Sequence, residues 1–97
     1  MPTSSGPFEV RLTPPFDRSL RRFLRRHPGL ESTFRRLVKD LEDDPFQPKL
    51  RLHALGGKLD GFYAVSLTYS YRVVLLLKVE EHRIRLVDIG DHDDVYR

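Results

Sequence analysis

The stretch that decides the fold covers residues 52–77 and reads LHALGGKLDGFYAVSLTYSYRVVLLL. Within it, residues 62–68 alternate apolar and polar side chains, and residues 71–79 are almost continuously apolar. Both patterns are typical of β-strands, the second of a strand buried on both faces. Only Tyr69 and Ser70 separate the two runs. So short a connection predicts a β-hairpin with a tight turn.

An arginine, Arg72, stands near the start of the apolar strand and is the most unusual residue of the stretch. It shares a strand face with Val74 and Leu76, because alternate residues point to the same side. A guanidinium on such a face is costly unless it meets an anion. Arg72 therefore either pairs with an acid such as Asp88 or binds a phosphate in a cleft. The apolar remainder of this face predicts a bound partner, a second copy of the chain, or the chain's own tail packed over it.

Before this stretch, the sequence predicts one strand and two helices. Residues 8–12 alternate as a half-buried strand does. Thr13 is followed by two prolines, a pattern that starts a helix, expected over residues 15–27. A Pro-Gly pair ends this helix, and a second is expected over residues 30–42. Each helix carries one apolar stripe, so the two form a hairpin that must bury its stripe against the sheet.

After the stretch comes one more strand. Ile84 and Leu86 are expected on one of its faces, and Val87 and Ile89 on the other. Residues 49–53, which precede the hairpin, are expected to be extended. The predicted fold is α+β: an N-terminal strand, a two-helix hairpin, then a three-stranded antiparallel meander in one sheet, with the helices on one sheet face.

Composition limits the class of protein. Ninety-seven residues fit one domain, with residues 1–7 as a loose end. The absence of cysteine excludes disulfides and thiolate metal sites, and the four histidines lack metal-ligand spacing, so neither a metal nor another cofactor is expected. No apolar run reaches the ~20 residues of a membrane helix, and the N-terminus does not resemble a signal peptide. These features favour a cytoplasmic protein without membrane partners.

Positive charge is concentrated in the helical hairpin. Residues 11–39 contain nine Lys or Arg and two acids, whereas residues 80–97 contain six acids and three arginines. The first region offers a polyanion such as RNA a binding surface. The candidate RNA- or ribosome-binding residues are four arginines of the first helix and one lysine of the glycine-rich turn: Arg18, Arg21, Arg22, Arg25 and Lys58. The alternative is that they form an ordinary solvated face.

Three further residues could carry chemistry with Arg72. His53 precedes the glycine-rich turn, and His92 and Tyr96 follow the last strand. His92 lies among aspartates that favour its protonated form, which suits a general acid or a phosphate ligand, while Tyr96 could stack on a base or orient a phosphate. Two histidines and an arginine are the groups that metal-free RNA cleavage requires. Alternatively, both histidines are ordinary surface residues and Tyr96 is a hydrophobic plug.

The motifs together resemble a known family. Residues 52–61 read L-x-x-L-x-G-x-L-x-G, residues 71–74 read Y-R-V-V, and residues 88–96 read D-I-G-x-H-x-x-V-Y. Their order and spacing over residues 8–96 are similar to those of the RelE/ParE superfamily of bacterial toxins, which have the RelE-like (microbial RNase-like) fold. Within it, the chain looks closest to the RelE and YafQ-like mRNA interferases.

This resemblance implies the toxin of a type II toxin-antitoxin module, the class also called plasmid stabilisation proteins. Such toxins enter the ribosomal A site and cut mRNA without a metal, leaving a 2′,3′-cyclic phosphate and inhibiting translation. A cognate antitoxin neutralises them, and the resemblance allows a heterotetramer of toxin and antitoxin. By position, Arg72 binds the phosphate, His53 is the base, and His92 and Tyr96 complete the catalytic set of this endoribonuclease.

The sequence also departs from the family pattern. YafQ-like members carry a histidine and an aspartate where this chain has Ser66 and Ser70, and RelE has two lysines at the positions of Tyr63 and Val65. The chain could therefore be a catalytically weak member, or a toxin with the same fold that poisons gyrase, as ParE does. ParE-like chains tend to end in His-Gly-Arg-Arg, unlike GDHDDVY here. A basic RNA-binding module without cleavage activity is a further alternative, and its binding would depend steeply on salt.

Overall fold

The computed structural model describes residues 7–91, and its elements follow the predicted order. Residues 1–6 of the predicted loose end, together with His92 and Tyr96, lie outside the described residues. The strands and helices are β1 (Glu9–Leu12), α1 (Pro14–Arg26), α2 (Glu31–Asp43), β2 (His53–Ala54), β3 (Tyr63–Ser66), β4 (Tyr71–Lys78) and β5 (Arg83–Asp91). Short 3-10 helices lie at Pro28–Leu30, Pro48–Leu50 and Gly57–Leu59.

Helix α1 begins and ends where its sequence signals predict. The Thr13 hydroxyl accepts the N–H of Phe16 at 3.4 Å, and Pro14 and Pro15 occupy the first turn, where their missing N–H groups cost nothing. His27 caps the other end, immediately before Pro28. Within residues 7–91, no helix combines the length and the apolarity needed to cross a membrane.

The sheet has the strand order β1-β5-β4-β3-β2. The predicted antiparallel meander is confirmed as β3, β4 and β5, while β1 pairs with β5 in parallel. Two local predictions are wrong. The segment before the hairpin is a 3-10 turn followed by the edge strand β2, which pairs with Ala64 and Tyr63. The β3–β4 connection has four residues, 67–70, instead of two, because the N–H groups of Leu67 and Thr68 both donate to the Tyr71 carbonyl oxygen.

The helical hairpin covers one face of this sheet, as predicted, and the main core lies between them. The two helices contribute Phe16, Leu20, Phe23, Phe34, Leu37 and Leu41 to the core, and the meander contributes Val65, Val73, Leu75, Ile84, Leu86 and Ile89. Because strand residues alternate, Arg72 and Val74 belong to the opposite face. Val74 is only 2% exposed there, so it is not part of an exposed apolar patch.

A β-bulge at Val87 changes the faces of the last strand. Leu75 pairs with Leu86 and Val74 pairs with Asp88, so Val87 is an extra residue on β5. The prediction that Ile89 and Leu86 lie on different faces of this strand is wrong. The bulge shifts the alternation of faces by one residue, so both side chains lie in the core. Strict period two cannot reveal such a shift, since no residue type marks the bulge in this strand.

Substitution of Ile89 tests the bulge. Ile89→Ala is expected to lower the free energy of unfolding by about 2–4 kcal/mol, because Ile89 is a core residue only 7% exposed. Val87→Ala, on the extra, half-buried residue, is the matched control and should cost about 1 kcal/mol or less. Urea unfolding of both variants gives the comparison. A larger loss from Val87→Ala than from Ile89→Ala would place the bulge elsewhere.

Candidate functional site

A wide cleft lies beside the β3–β4 hairpin loop. Its volume is about 900 Å³. It is lined by Lys49, Arg51, His53, Ser66, Leu67, Thr68, Tyr69, Ser70, Arg72 and Asp91. In the part of the lining that the structure describes, two arginines, a lysine and a histidine accompany one carboxylate, and the serines and the threonine add neutral hydroxyl groups. Among the residues described, this lining carries an excess of positive charge and favours an anionic ligand.

Arg72 is the second residue of β4 and lines the cleft. Its Nη1 donates to the Tyr69 carbonyl oxygen at 3.3 Å, which ties the guanidinium to the hairpin loop. On β5 its pairing partner is the buried Gly90. The alternative ion pair with Asp88 is not formed, although both residues are described. The Asp88 carboxylate instead accepts the N–H of Ile89 at 2.9 Å.

His53, on the edge strand β2, lies in the same cleft. Its Nδ1 is 2.8 Å from the carbonyl oxygen of Arg51. Because a carbonyl oxygen can only accept, Nδ1 carries a proton in this contact. In the neutral ring, Nε2 is then the basic nitrogen. The backbone contact therefore orients the imidazole. It also selects the tautomer in which Nε2 can accept a proton, as a general base must.

Lys49 and Arg51 line the cleft but were not among the predicted site residues. Lys49 pairs with Asp40 of α2 at 3.2 Å, which holds the 3-10 turn against the helical layer. Arg51 adopts a left-handed backbone, with φ of 56°, between this turn and β2. The sequence held no usable signal for either residue, because Lys49, Arg51 and His53 would share one side only in an extended chain, and this segment is a 3-10 turn followed by a left-handed residue.

The predicted helical arginines have different surroundings. A smaller pocket of about 280 Å³, at the end of α1, is lined in part by Arg22 and also by Asp91, which lines the large cleft. The remaining predicted binding residues, Arg18, Arg21, Arg25 and Lys58, are exposed and absent from the cleft lining. Arg21 forms an ion pair with Asp17 at 3.0 Å. The structure thus brings His53 and Arg72 together, with Arg22 at an adjoining pocket.

An aromatic cluster supports the first residue of β4. The Tyr71 ring lies 5.1 Å from the ring of Phe23 and 4.8 Å from that of His27, measured between centroids. Phe23 and His27 belong to the end of α1, so the cluster connects this helix end to the strand that carries Arg72. Such contacts restrict the backbone beneath the guanidinium and favour a fixed position for it.

The two C-terminal candidates, His92 and Tyr96, lie outside the described residues. Asp91, the residue before His92, lines the cleft at the end of β5. Between residues 7 and 91 there is no group of three or more His, Cys, Asp or Glu side chains placed to hold a metal ion. What the described cleft provides is a set of cations for a phosphate and an oriented imidazole beside them.

Solved structures with the same architecture exist, although no protein-family model and no curated protein matches the sequence. A YafQ variant from E. coli superimposes with a TM-score of 0.77 at 13% identity, covering 93% of this chain and 99% of that one. The RelBE2 toxin-antitoxin complex from Mycobacterium tuberculosis gives 0.68 at 20% identity over 90% and 93%. The YoeB-YefM complex from Staphylococcus aureus gives 0.66 at 14% identity over 88% and 97%. The chain therefore has the RelE/ParE-like toxin fold that its motifs predict.

Proposed function

We propose that this protein is the toxin of a toxin-antitoxin pair and acts as an endoribonuclease on mRNA in the ribosomal A site. The proposal combines the toxin fold with the cationic cleft that contains His53 and Arg72. Two of the similar structures are complexes of a toxin with its antitoxin. By analogy, the partner of this chain is a cognate antitoxin in the cytoplasm. The antitoxin either covers the cleft or prevents the toxin from entering the ribosome.

The proposed reaction needs only groups of the protein and the RNA. The 2′-hydroxyl loses its proton to Nε2 of His53 and attacks the adjacent phosphorus, while the bond from phosphorus to the 5′-oxygen breaks. Arg72 stabilises the charge that develops on the phosphoryl oxygens. His92, which follows Asp91 of the cleft wall, is assigned as the acid that protonates the leaving 5′-oxygen. Tyr96 is assigned to the same set, and the products are a 2′,3′-cyclic phosphate and a 5′-hydroxyl.

The observation that carries this proposal is the meeting of His53 and Arg72 in one cleft. They lie on different strands and nineteen positions apart in the sequence, yet both line the same cavity. Lys49 and Arg51 surround them with further positive charge. A phosphodiester is the biological ligand that such a combination of cations and an oriented imidazole fits best.

Substitution of His53 tests the assigned base. His53→Gln is expected to slow mRNA cleavage on ribosomes by about 100-fold or more, since a positioned base contributes at least that much to such a rate. His82→Gln is the control, because His82 lies in the β4–β5 turn, outside the cleft lining. Cleavage is followed by mapping new RNA ends and testing them for a cyclic phosphate. Equal cleavage by His53→Gln and the unmodified protein would remove His53 from the mechanism.

One observation favours a second candidate function. Ser66 and Ser70 line the cleft at positions where YafQ-like proteins have ionisable groups. A toxin with this fold that blocks gyrase instead of cutting RNA would need no such groups. Induction of the chain in a bacterial host separates the two functions: the nuclease produces truncated mRNA, whereas a gyrase poison produces broken DNA with intact mRNA. In both cases co-expression of the cognate antitoxin should restore growth.

A further inference from the structure

We propose that Tyr69 is a stacking platform for an unpaired base of the RNA whose phosphate binds at Arg72. Tyr69 lines the cleft and is 94% exposed, against 47% for Phe46, the next most exposed large apolar side chain among residues 7–91. A single exposed aromatic residue needs no explanation by itself. Its position beside the phosphate-binding cations does. The proposal rests on the proposed function, with RNA as the ligand of the cleft, and adds a residue that stacks on a base.

Hydrogen bonds fix the loop that presents Tyr69. The N–H groups of Leu67 and Thr68 donate to the Tyr71 carbonyl oxygen at 2.9 and 3.3 Å. Inside the loop, the N–H of Ser70 donates to the Thr68 hydroxyl oxygen at 3.1 Å. The backbone on both sides of Tyr69 is therefore held in place. An exposed ring on a fixed backbone loses little entropy when a flat ligand covers it, since a tyrosine side chain has only two torsions to order.

The same loop couples the ring to the phosphate site. The guanidinium of Arg72 donates to the carbonyl oxygen of Tyr69 itself, so the cation is tied to the backbone of the residue that carries the ring. A nucleotide carries both complementary groups: an anionic phosphate for Arg72 and an apolar, polarisable base face for the ring. Bases in a duplex already stack on their neighbours, so the ring can accept only an unpaired base. Because every base has such a face, the proposal predicts weak sequence preference from this contact.

An aromatic residue of a protein partner could also cover Tyr69, but the charges of the cleft favour the nucleic acid. Lys49, Arg51 and Arg72 line the same cleft as the loop, and Asp91 is the single acid of the lining among residues 7–91. A strand of phosphates can pair with several cations of one cleft at once. The other exposed large apolar residues among those described are absent from the cleft lining: Leu12, Phe46 and Val79. They therefore do not form an apolar docking patch together with Tyr69.

Binding of an uncleavable strand tests the proposal without relying on catalysis. The probe is a short, fluorescently labelled single-stranded RNA with 2′-O-methyl groups, which cannot form the attacking alkoxide. Tyr69→Ser is expected to weaken its binding by roughly tenfold or more, the usual effect of losing one stacked base. Phe46→Ser, which removes an exposed ring outside the cleft, should leave binding unchanged. The chain has no tryptophan, so Tyr69→Trp gives a single reporter whose fluorescence should be quenched by the stacked base.

A strand with abasic sites separates stacking from loop damage. Stacking predicts that Tyr69→Ser and the unmodified protein bind the abasic strand equally. An equal loss on both strands, or unchanged binding of Tyr69→Ser to the ordinary strand, overturns the inference. So does a Tyr69→Ser variant that binds RNA normally and escapes its antitoxin, which would assign the ring to the protein partner. If the protein does not cleave mRNA but its RNA binding depends on Tyr69, the nuclease function fails and the stacking inference stands.

Discussion

Replacing Arg72 with alanine is expected to slow RNA cleavage by about 100- to 1000-fold and to abolish growth arrest, because it removes the cation assigned to the transition-state charge. The guanidinium is already oriented by its hydrogen bond to the Tyr69 carbonyl oxygen. Little reorganisation is then needed as charge develops on the phosphoryl oxygens. Groups positioned in advance in this way give the largest electrostatic effects in catalysis.

Arg72→Lys distinguishes charge from geometry. Lysine keeps the positive charge but cannot donate two parallel hydrogen bonds to a phosphate or imitate the planar contact with the loop. If Arg72 acts as a fork, Arg72→Lys should recover only part of the lost rate. Full recovery would mean that the site needs a cation and nothing more specific.

Arg85 provides the matched control for Arg72. Arg85 is an exposed arginine on the neighbouring strand β5, paired with Leu76. Leu76 lies four positions along β4 from Arg72, roughly 13 Å away, which exceeds the screening length in ordinary salt. Arg85→Ala should therefore cleave at nearly the normal rate. Single-turnover cleavage by purified proteins of confirmed secondary structure gives both rates, and an active Arg72→Ala would exclude Arg72 as the phosphate ligand.

The sequence predicted two of the four basic residues in the described cleft lining and missed the other two for a structural reason. Arg72 was recognisable because a charge in an apolar strand requires an explanation, whereas His53 was singled out by the position of a histidine in the family that the motifs resemble. Lys49 and Arg51 look like ordinary surface residues. They reach the cleft through a 3-10 turn and a left-handed residue, and neither conformation follows from the type of residue at position 49 or 51. Backbone geometry of that kind depends on the edge strand that follows.

The fold was predictable where a signal is local. Thr13 with its two prolines placed the start of α1 within one residue, since a cap acts over only three or four positions. The faces of β5 beyond the bulge were predicted wrongly because a bulge is defined by a pairing with another strand, not by the strand itself. The same holds for the hairpin loop, whose length is set by hydrogen bonds to Tyr71 across the turn. Local chemistry was thus a better guide than any feature that depends on register.

Removal of one ring from the core is expected to have the largest effect on stability. Phe16→Ala should lower the free energy of unfolding by about 3–5 kcal/mol, the usual cost of such a cavity. Phe16 is fully buried, and its ring stacks on that of Phe34 with centroids 6.1 Å apart. The Phe16 ring therefore connects α1 to α2 within the core that packs against the sheet. A loss of this size is a large part of the total stability of a small domain.

Phe46→Ala is the matched control for Phe16→Ala. It deletes the same phenyl group from a side chain that is 47% exposed, so it leaves no sealed cavity and should cost well under half as much. Guanidinium unfolding followed by circular dichroism measures both variants. Similar losses would show that the helical hairpin does not depend on Phe16 for its attachment. A selective loss in Phe16→Ala, accompanied by weaker RNA binding, would link the cleft to the helices, because α1 supports the start of β4 through the Phe23–Tyr71 contact.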